Sequence, residues 1–541
     1  MSKRKPLATC LSILALAGLL AGCSQQTSDK VLSVGVLSQF TGPNPFNVRS
    51  ILDYDILMLT YPELVQYNDH EQIVPDFASS WSHSADGLTW TFKVHAQAKW
   101  SDGKPLTASD VAWTINTIRK YQSGGAATFA AAVTNLTDAS APNPTTVVVR
   151  FSKPSAQVLS EFDIMPILPE HVWAKYATGK NGLSLQQAAV RLPGVDGGPY
   201  VLSRSSANTT LFLTANPFFY GPKPLTKSVG IRYFTSEDSL LLALKNRQID
   251  YGNGLLPGDA AVLRRDGLAV NTYSSTDILT LSVNDMPSGP APALRNLSVR
   301  RAIDLAINRS QIIKIAYPGG IAAESVLEPA NGDFYDSSIA SRYSPAAANS
   351  LLDAAGFRRS ASGIRVAKGQ PMSYTLIVGT DSGGAGARAA QIVQQDLQAI
   401  GINVSVKFLD PTTWTNTIIG NKGKYNSFEL ALDGTVGLID PEANLGGISC
   451  KNLGTFNVSG FCDQSLDALY NAQAVAIDPA ARKTILDEAQ EFAYKAVASI
   501  QLVYVPTVDA HQTDWTGFRA SPFGSLNIFG KSPFDSIKFQ S

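Results

Sequence analysis

The sequence predicts an α/β protein built from several lobes, and three observations carry that prediction. The chain runs to 541 residues, more than one hydrophobic core serves. It is 44% hydrophobic and 16% charged, enough apolar material for large cores and unlike a disordered, collagenous or disulfide-dense chain. Short β-type runs also alternate along it with segments of helical apolar spacing, without repeats or low-complexity blocks.

The elements follow in order. Val31–Val36 is a short β run leading into the turn-rich Gln39-Phe40-Thr41-Gly42-Pro43-Asn44-Pro45. Thr89–Val94 alternates with period two, so one face is half buried. Asp86-Gly87 and Asp102-Gly103 are turn dipeptides flanking that strand, with Trp81, Trp90 and Trp100 as packing anchors of the scaffold. Thr107 and Asp110 form a capping-box pattern that opens a helix, and Thr145–Phe151 is again β-rich. Pro169 opens a helix that puts His171 in a capping or core role. Val299–Ile315 carries apolar residues at helical spacing, with Asp304 and Arg309 as an ordinary surface pair. Ala387–Ile400 repeats the helical spacing before the strand Ile402–Val406.

The first 23 residues are read as an export leader rather than as fold. Lys3, Arg4 and Lys5 precede an apolar stretch from Leu7 to Leu20 that is too short for a comfortable membrane span. It ends in Leu20-Ala21-Gly22-Cys23, matching the bacterial lipobox, so Cys23 is expected to carry a diacylglycerol. The alternative is an ordinary secretory signal with a chance cysteine. Residues 24–30 then form a polar tether.

The 44 basic and 44 acidic residues balance, and loss of the leader leaves the mature chain slightly acidic. No Lys/Arg-rich run follows the leader, which excludes nucleic acid as a partner. Of four cysteines, Cys10 leaves with the leader and Cys23 would carry lipid, so only Cys450 and Cys462 remain as thiols, bracketing a Gly/Asn-rich loop. A lone pair outside the cytosol is expected to form a disulfide that staples the loop; two free thiols are the alternative. No histidine lies close enough in sequence for a metal site there.

Two fragments have an enzyme-like look. Asp381-Ser382-Gly383-Gly384 resembles the turn around a serine-protease nucleophile, yet the chain has no nucleophile-elbow pentapeptide and no clustered histidines. Gly383-Gly384-Ala385-Gly386 could cradle an anion, but it lacks the Lys and Ser/Thr of a phosphate loop. Both read as a connection between the strand Tyr374–Val378 and the next helix.

Taken together, an ordered set of motifs resembles the peptide/nickel (family 5) solute-binding proteins of bacterial ABC importers. The set comprises Trp81–Val94, Lys99–Val111, Ile167–Trp173, Gly197-Gly198-Pro199-Tyr200 and Asn216–Gly221, followed by Val299–Arg309, Leu351–Phe357 and Ile400–Val404. It spans nearly the whole mature chain. The resemblance implies a two-lobed α/β periplasmic-binding-protein fold with an extra subdomain and the ligand cleft between the lobes. Lobe I would take residues 30–59, 191–277 and 512–541, the subdomain 60–190, and lobe II 278–511, with crossings near Leu279–Asn284 and Leu502–Pro506.

The resemblance further implies a monomer without catalysis, cofactor or bound metal, lipid-anchored to the bacterial membrane and facing the outside or the periplasm. It would hand a small solute, most often a peptide, to a membrane permease. Alternatives are an oligosaccharide, metal-chelate or heme ligand in the same fold, a secreted hydrolase using Ser382, or a structural envelope lipoprotein.

By the same resemblance, one wall of the cleft is Gln39, Phe40, Thr41 and Asn44. In the far lobe, Phe428–Gly434 resembles the strand entering the binding segment, and Asp440-Pro441 resembles its end. Peptide binders carry a tryptophan and an ammonium-holding carboxylate between these landmarks; here the chain reads Thr435-Val436-Gly437-Leu438-Ile439. Asp433, Gly434, Thr435 and Val436 are therefore the candidate contacts, with Asp433 as substitute acid or plain turn residue. Trp414 either stacks in the cleft or anchors the lobe.

Overall fold

The structure, a computed structural model, describes residues 30–206, 210–340, 342–419, 428–519, 522 and 535–540. The leader, Cys23 and most of the tether lie outside the described residues.

Two long strands organise the molecule. Ala269–Val283 and Ile500–His511 pair antiparallel along almost their whole lengths, from Ala269↔His511 to Leu281↔Ile500. Each is part of one 11-stranded sheet that continues on both sides of the pair. On the lobe I side, Tyr251–Leu255, Leu32–Val36 and Ser228–Tyr233 run parallel, and Thr210–Ala215 and Tyr200–Ser206 complete that half antiparallel. On the lobe II side, Leu430–Val436, Ser373–Gly379 and Asn403–Leu409 lie parallel to one another, Leu430–Val436 being antiparallel to the first crossing strand. The register of the crossing pair slips at a bulge between Ser274 and Asp277 and again between Leu279 and Thr280.

Each lobe has its own core. Leu32, Val34, Leu213, Val229 and Tyr251 close lobe I, together with Trp515 from the C-terminal segment. In lobe II the helices Leu297–Ala306, Pro345–Ala354 and Gly383–Ala399 cover Leu281, Leu376, Leu430 and Leu502. The subdomain is a four-stranded antiparallel sheet in the order Ala78–His83, Thr89–Val94, Thr146–Phe151, Leu136–Asn143. The helix Ala108–Tyr121 buries Val111, Ile115 and Ile118 against that sheet. Its first turn has both halves of the capping box: Thr107 accepts from the helix start, and Asp110 accepts from the Thr107 N–H. Such a cap contributes about 1 kcal/mol. Trp100 is fully buried in the same core, and Gly103 turns the chain beside it with φ +84°, a conformation costly for any other residue.

Three local expectations are corrected. The apolar run Val299–Ile315 is two helices, not one: Ile307 is extended and Asn308 caps a second helix, Arg309–Ile315, by accepting from the Gln311 N–H. The Asn308 N–H is in turn held by Asp396 at 2.8 Å, which fixes the break. Because of that break Arg309 swings inward, and its pair with Asp304 (2.6 Å) is buried rather than on the surface. Its Nε also donates to the carbonyls of Ala323 and Gln501. His171 neither caps nor enters the core; its Nε2 meets the Asp102 carboxylate at 3.0 Å.

Candidate functional site

The end of the strand Leu430–Val436 delivers the chain to the place where lobe II, the interlobe bulge and the subdomain meet. Gly437 donates its N–H to the Thr276 carbonyl at 2.6 Å, tying the segment to the bulge. A side chain at Gly437 would start 2.2 Å from Glu328 Oε1 and 3.0 Å from the Thr276 carbonyl oxygen, so any other residue there has to displace the buried Glu328 carboxyl. Asn331 then holds the next two carbonyls, donating to Leu438 and Ile439 at 3.0 and 3.1 Å. Asp440 closes the segment. Arg482 grips its two oxygens at 2.9 and 2.8 Å, and the Ser160 hydroxyl donates to it from the subdomain at 3.1 Å.

Between this segment and the subdomain helix Val158–Asp163 lies a cavity of about 150 Å3. Tyr67, Ser160, Glu161 and Ile164 form the subdomain wall; Leu438, Ile439 and Ala443 form the lobe II wall. Burial pushes the Glu161 carboxyl up to about 7, helped by the nearby Asp440 and Glu442 charges. A larger space of about 590 Å3 shares Tyr67, Ser160, Ile439 and Asp440 with it and reaches Phe334 and Lys483. The subdomain is also bonded to lobe II through Ala156, whose N–H donates to the Ala474 carbonyl at 2.9 Å. These spaces thus lie between two bodies and remain open to solvent.

The residues predicted as contacts fall in three places. In lobe I, Gln39 and Thr41 are exposed, while Phe40 is buried in the core. The Thr41 N–H and hydroxyl both donate to Asp53, fixing the loop onto the helix Ile51–Thr60. The Asn44 amide donates to the carbonyls of Leu185, Gln186 and Ala188, stapling lobe I to the subdomain. In lobe II, Trp414 sits on the helix Pro411–Ile418 against Ile377, Ile418 and Ala431. Asp433 pairs with Thr280 across the sheet and lines a separate chamber inside lobe II with Thr280, Asn444 and Gln501. Burial pushes its carboxyl up to about 7, opposed by a hydrogen bond from the Gly434 backbone. Gly434 is exposed at the strand end. Thr435 and Val436 pair through their backbones with Ile278 and Asp277; their side chains lie outside the described residues.

Cys450 and Cys462 are joined by a disulfide, and the loop between them carries Phe456 and Val458 to the rim of the Asp433 chamber. The Ser382 hydroxyl donates to the Gly379 carbonyl at 2.6 Å, a local turn contact. Sequence reasoning missed Tyr67, Ser160 and Glu161. They stand far from the binding segment in the chain, and no spacing links them to it. Among the described residues no group of three or more His, Cys, Asp or Glu side chains could hold a metal ion, and no helix is long and apolar enough to cross a membrane.

Comparison with known proteins agrees with this architecture. The chain is 28% identical over 399 residues to a putative ABC transporter peptide-binding protein of Brucella ovis, covering 72% of this chain and 71% of that protein. It is also 28% identical over 360 residues to the nickel-binding periplasmic protein of Escherichia coli, covering 64% and 65%. Among solved structures, the ABC transporter substrate-binding protein CtaP of Listeria monocytogenes superimposes with a TM-score of 0.79 at 22% identity, covering 95% of this chain and 99% of that one. The family model for bacterial extracellular solute-binding proteins, family 5, matches residues 72–449, and the chain belongs to that family.

Proposed function

We propose that this protein captures peptides outside the cytoplasmic membrane and presents them to the permease of an ABC importer, as a monomer held to the membrane by a lipid on Cys23. The observation that carries the reading is the space at the end of the binding segment. A cavity of about 150 Å3, adjoining a space of about 590 Å3, lies between two bodies and is bounded on one side by a segment tied to the bulged interlobe strands. Bending at that bulge would open and close the space, so solute and closed form stabilise each other. The curated relative of Brucella ovis, whose name is that of a peptide-binding protein, supports peptide as the solute class. The protein performs no chemistry on the solute; the Ser382 hydroxyl is occupied by a backbone carbonyl.

Mass spectrometry of whatever co-purifies with the protein, followed by calorimetry with the identified compounds, tests the reading. Peptides recovered and rebound support it. Recovery of only an oligosaccharide or a metal chelate would overturn the peptide assignment within the same fold. Cys23→Ser should move the protein from the membrane fraction to the soluble one, and unchanged membrane association would refute the lipid anchor.

A further inference from the structure

Four carboxyl groups line the cavity between the helix Val158–Asp163 and residues 438–443: Glu161, Asp163, Asp440 and Glu442. Three have visible partners. Asp440 is held by both terminal nitrogens of Arg482 and by Ser160. Glu442 accepts from the Tyr470 hydroxyl at 2.5 Å and from the Gln473 amide. Asp163 accepts from the Tyr67 N–H at 3.1 Å. Glu161 differs: its Oε2 is shut off from solvent and meets no hydrogen-bond donor among the described residues. Arg482 and Lys483 line the larger space beside these acids, but Arg482 is already spent on Asp440 and Gln473, and Lys483 on Asp487.

An acceptor buried without a donor is costly, and a fold retains one where a partner arrives from outside or the cost serves a task. The remaining walls suggest what arrives. Ile164, Leu438, Ile439 and Ala443 are apolar, beside the polar Tyr67, Gln157 and Ser160, so the space sets aliphatic surface next to a carboxyl with an oxygen that meets no donor. That pattern is complementary to an aliphatic stem carrying a cationic head, the build of lysine and arginine side chains. We propose that this cavity receives a basic side chain of the bound solute, with Glu161 accepting its cationic head while Ile164, Leu438 and Ile439 cover the stem. The inference rests on the peptide reading above and adds the class of peptide.

Titration agrees with it. The groups facing Glu161 are Asp163, Asp440, Glu442 and Tyr67, with Arg482 behind Asp440, and the net effect of burial and the acids is to push its carboxyl up to about 7. Near neutral pH the unliganded group is therefore partly protonated. A cation entering the cavity favours the carboxylate, and the proton leaves to solvent.

Calorimetry on the mature protein with the tripeptides Ala-Lys-Ala and Ala-norleucine-Ala tests this. The two differ by a charge on nearly the same stem. The lysyl peptide should bind about 30-fold tighter, and Glu161→Gln should abolish that preference while leaving norleucyl binding intact, which also reports that the variant is folded. On the parent protein near pH 7, lysyl binding should release protons, read from the heat in buffers of different ionisation enthalpy. Equal affinities in the parent, or a preference that survives Glu161→Gln, would overturn the inference and leave the peptide reading standing. If neither peptide binds but 1,5-diaminopentane does so only with Glu161 present, the cation site stands and the peptide reading falls. If none of the three binds, both fall.

Discussion

The Ser160 hydroxyl donates to the Asp440 carboxylate at 3.1 Å, joining residues 280 positions apart in the chain. Ser160 belongs to a short subdomain helix, Asp440 to the end of the segment that leaves the lobe II sheet. Both line the cavity, so under the proposed function this hydrogen bond spans the place where the two bodies would separate. It is a single bond of modest strength, suited to a contact that is made and broken repeatedly.

Ser160→Ala should therefore weaken solute binding by roughly 0.5–1.5 kcal/mol, the net value of one such bond. Global stability should hardly move, since Asp440 keeps both of its contacts to Arg482. Calorimetry with a bound peptide and a thermal melt of the unliganded protein separate the two effects. Unchanged affinity would show that the contact plays no part in closure.

The pair on the other side of Asp440 has the opposite character. Arg482 and Asp440 are both nearly buried, and Arg482 also donates to Gln473 from Nε and a terminal nitrogen. Removing one member of a buried pair leaves the other charge without compensation. Arg482→Met should destabilise the protein by about 3–5 kcal/mol and lower its melting temperature accordingly. A melt within a degree of the parent would mean that water already compensates Asp440.

The contrast between these contacts shows what the sequence makes legible. Elements defined by neighbours in the chain can be read from it. The Thr107/Asp110 capping box predicts the start of a helix that the structure contains, and the period-two run Thr89–Val94 is a strand. The ordered motif set likewise predicts the two-lobed family 5 fold. What fails is local detail decided by distant partners. Asn308 breaks the apolar run Val299–Ile315 because Asp396, 88 residues on, holds its N–H. The site was harder still. The resemblance singles out Asp440-Pro441, next to the cavity-lining residues 438 to 440, but the facing wall of Tyr67, Ser160 and Glu161 is assembled by folding alone. A lone glutamate on a helix of six residues carries no spacing or motif that distinguishes it from a solvated one.

Gly437 is the second point where the segment depends on its surroundings. The site leaves no room for a Cβ beside Glu328 Oε1, and the Thr276 carbonyl blocks a shift toward the bulge. Gly437→Ala should cost about 1–3 kcal/mol of stability through overpacking and should also impair solute binding, because the segment can relax only by moving into the cavity wall. Denaturant unfolding and calorimetry measure both. A variant with normal stability and normal affinity would show that Glu328 yields freely.

Glu328 itself leads to a prediction about pH. The residue is fully buried, its Oε2 has no partner among the described residues, and Asn444 reaches its Oε1 only at 3.4 Å. Burial therefore pushes its carboxyl from the ordinary 4.5 up to about 8; Asp277 adds to the rise, and the Asn444 contact opposes it. Between those two values the folded protein keeps a proton that the unfolded chain gives up. The protonated carboxyl's contribution is thus complete below pH 4.5, declines as pH rises, and is lost by the time pH passes 8. The loss over that window is on the order of 4 kcal/mol. Glu328→Gln keeps the shape and removes the titration, so its stability should decline less steeply from pH 5 to pH 8 than that of the parent. Glu161, Asp196 and Asp433, all pushed up to about 7, act in the same direction but are present in both proteins and cancel in the difference. Urea unfolding of the two proteins at pH 5, 6.5 and 8 provides the comparison. Parallel stability curves would mean that Glu328 is ionised in the folded state, with a counter-charge or water beside it that offsets its burial.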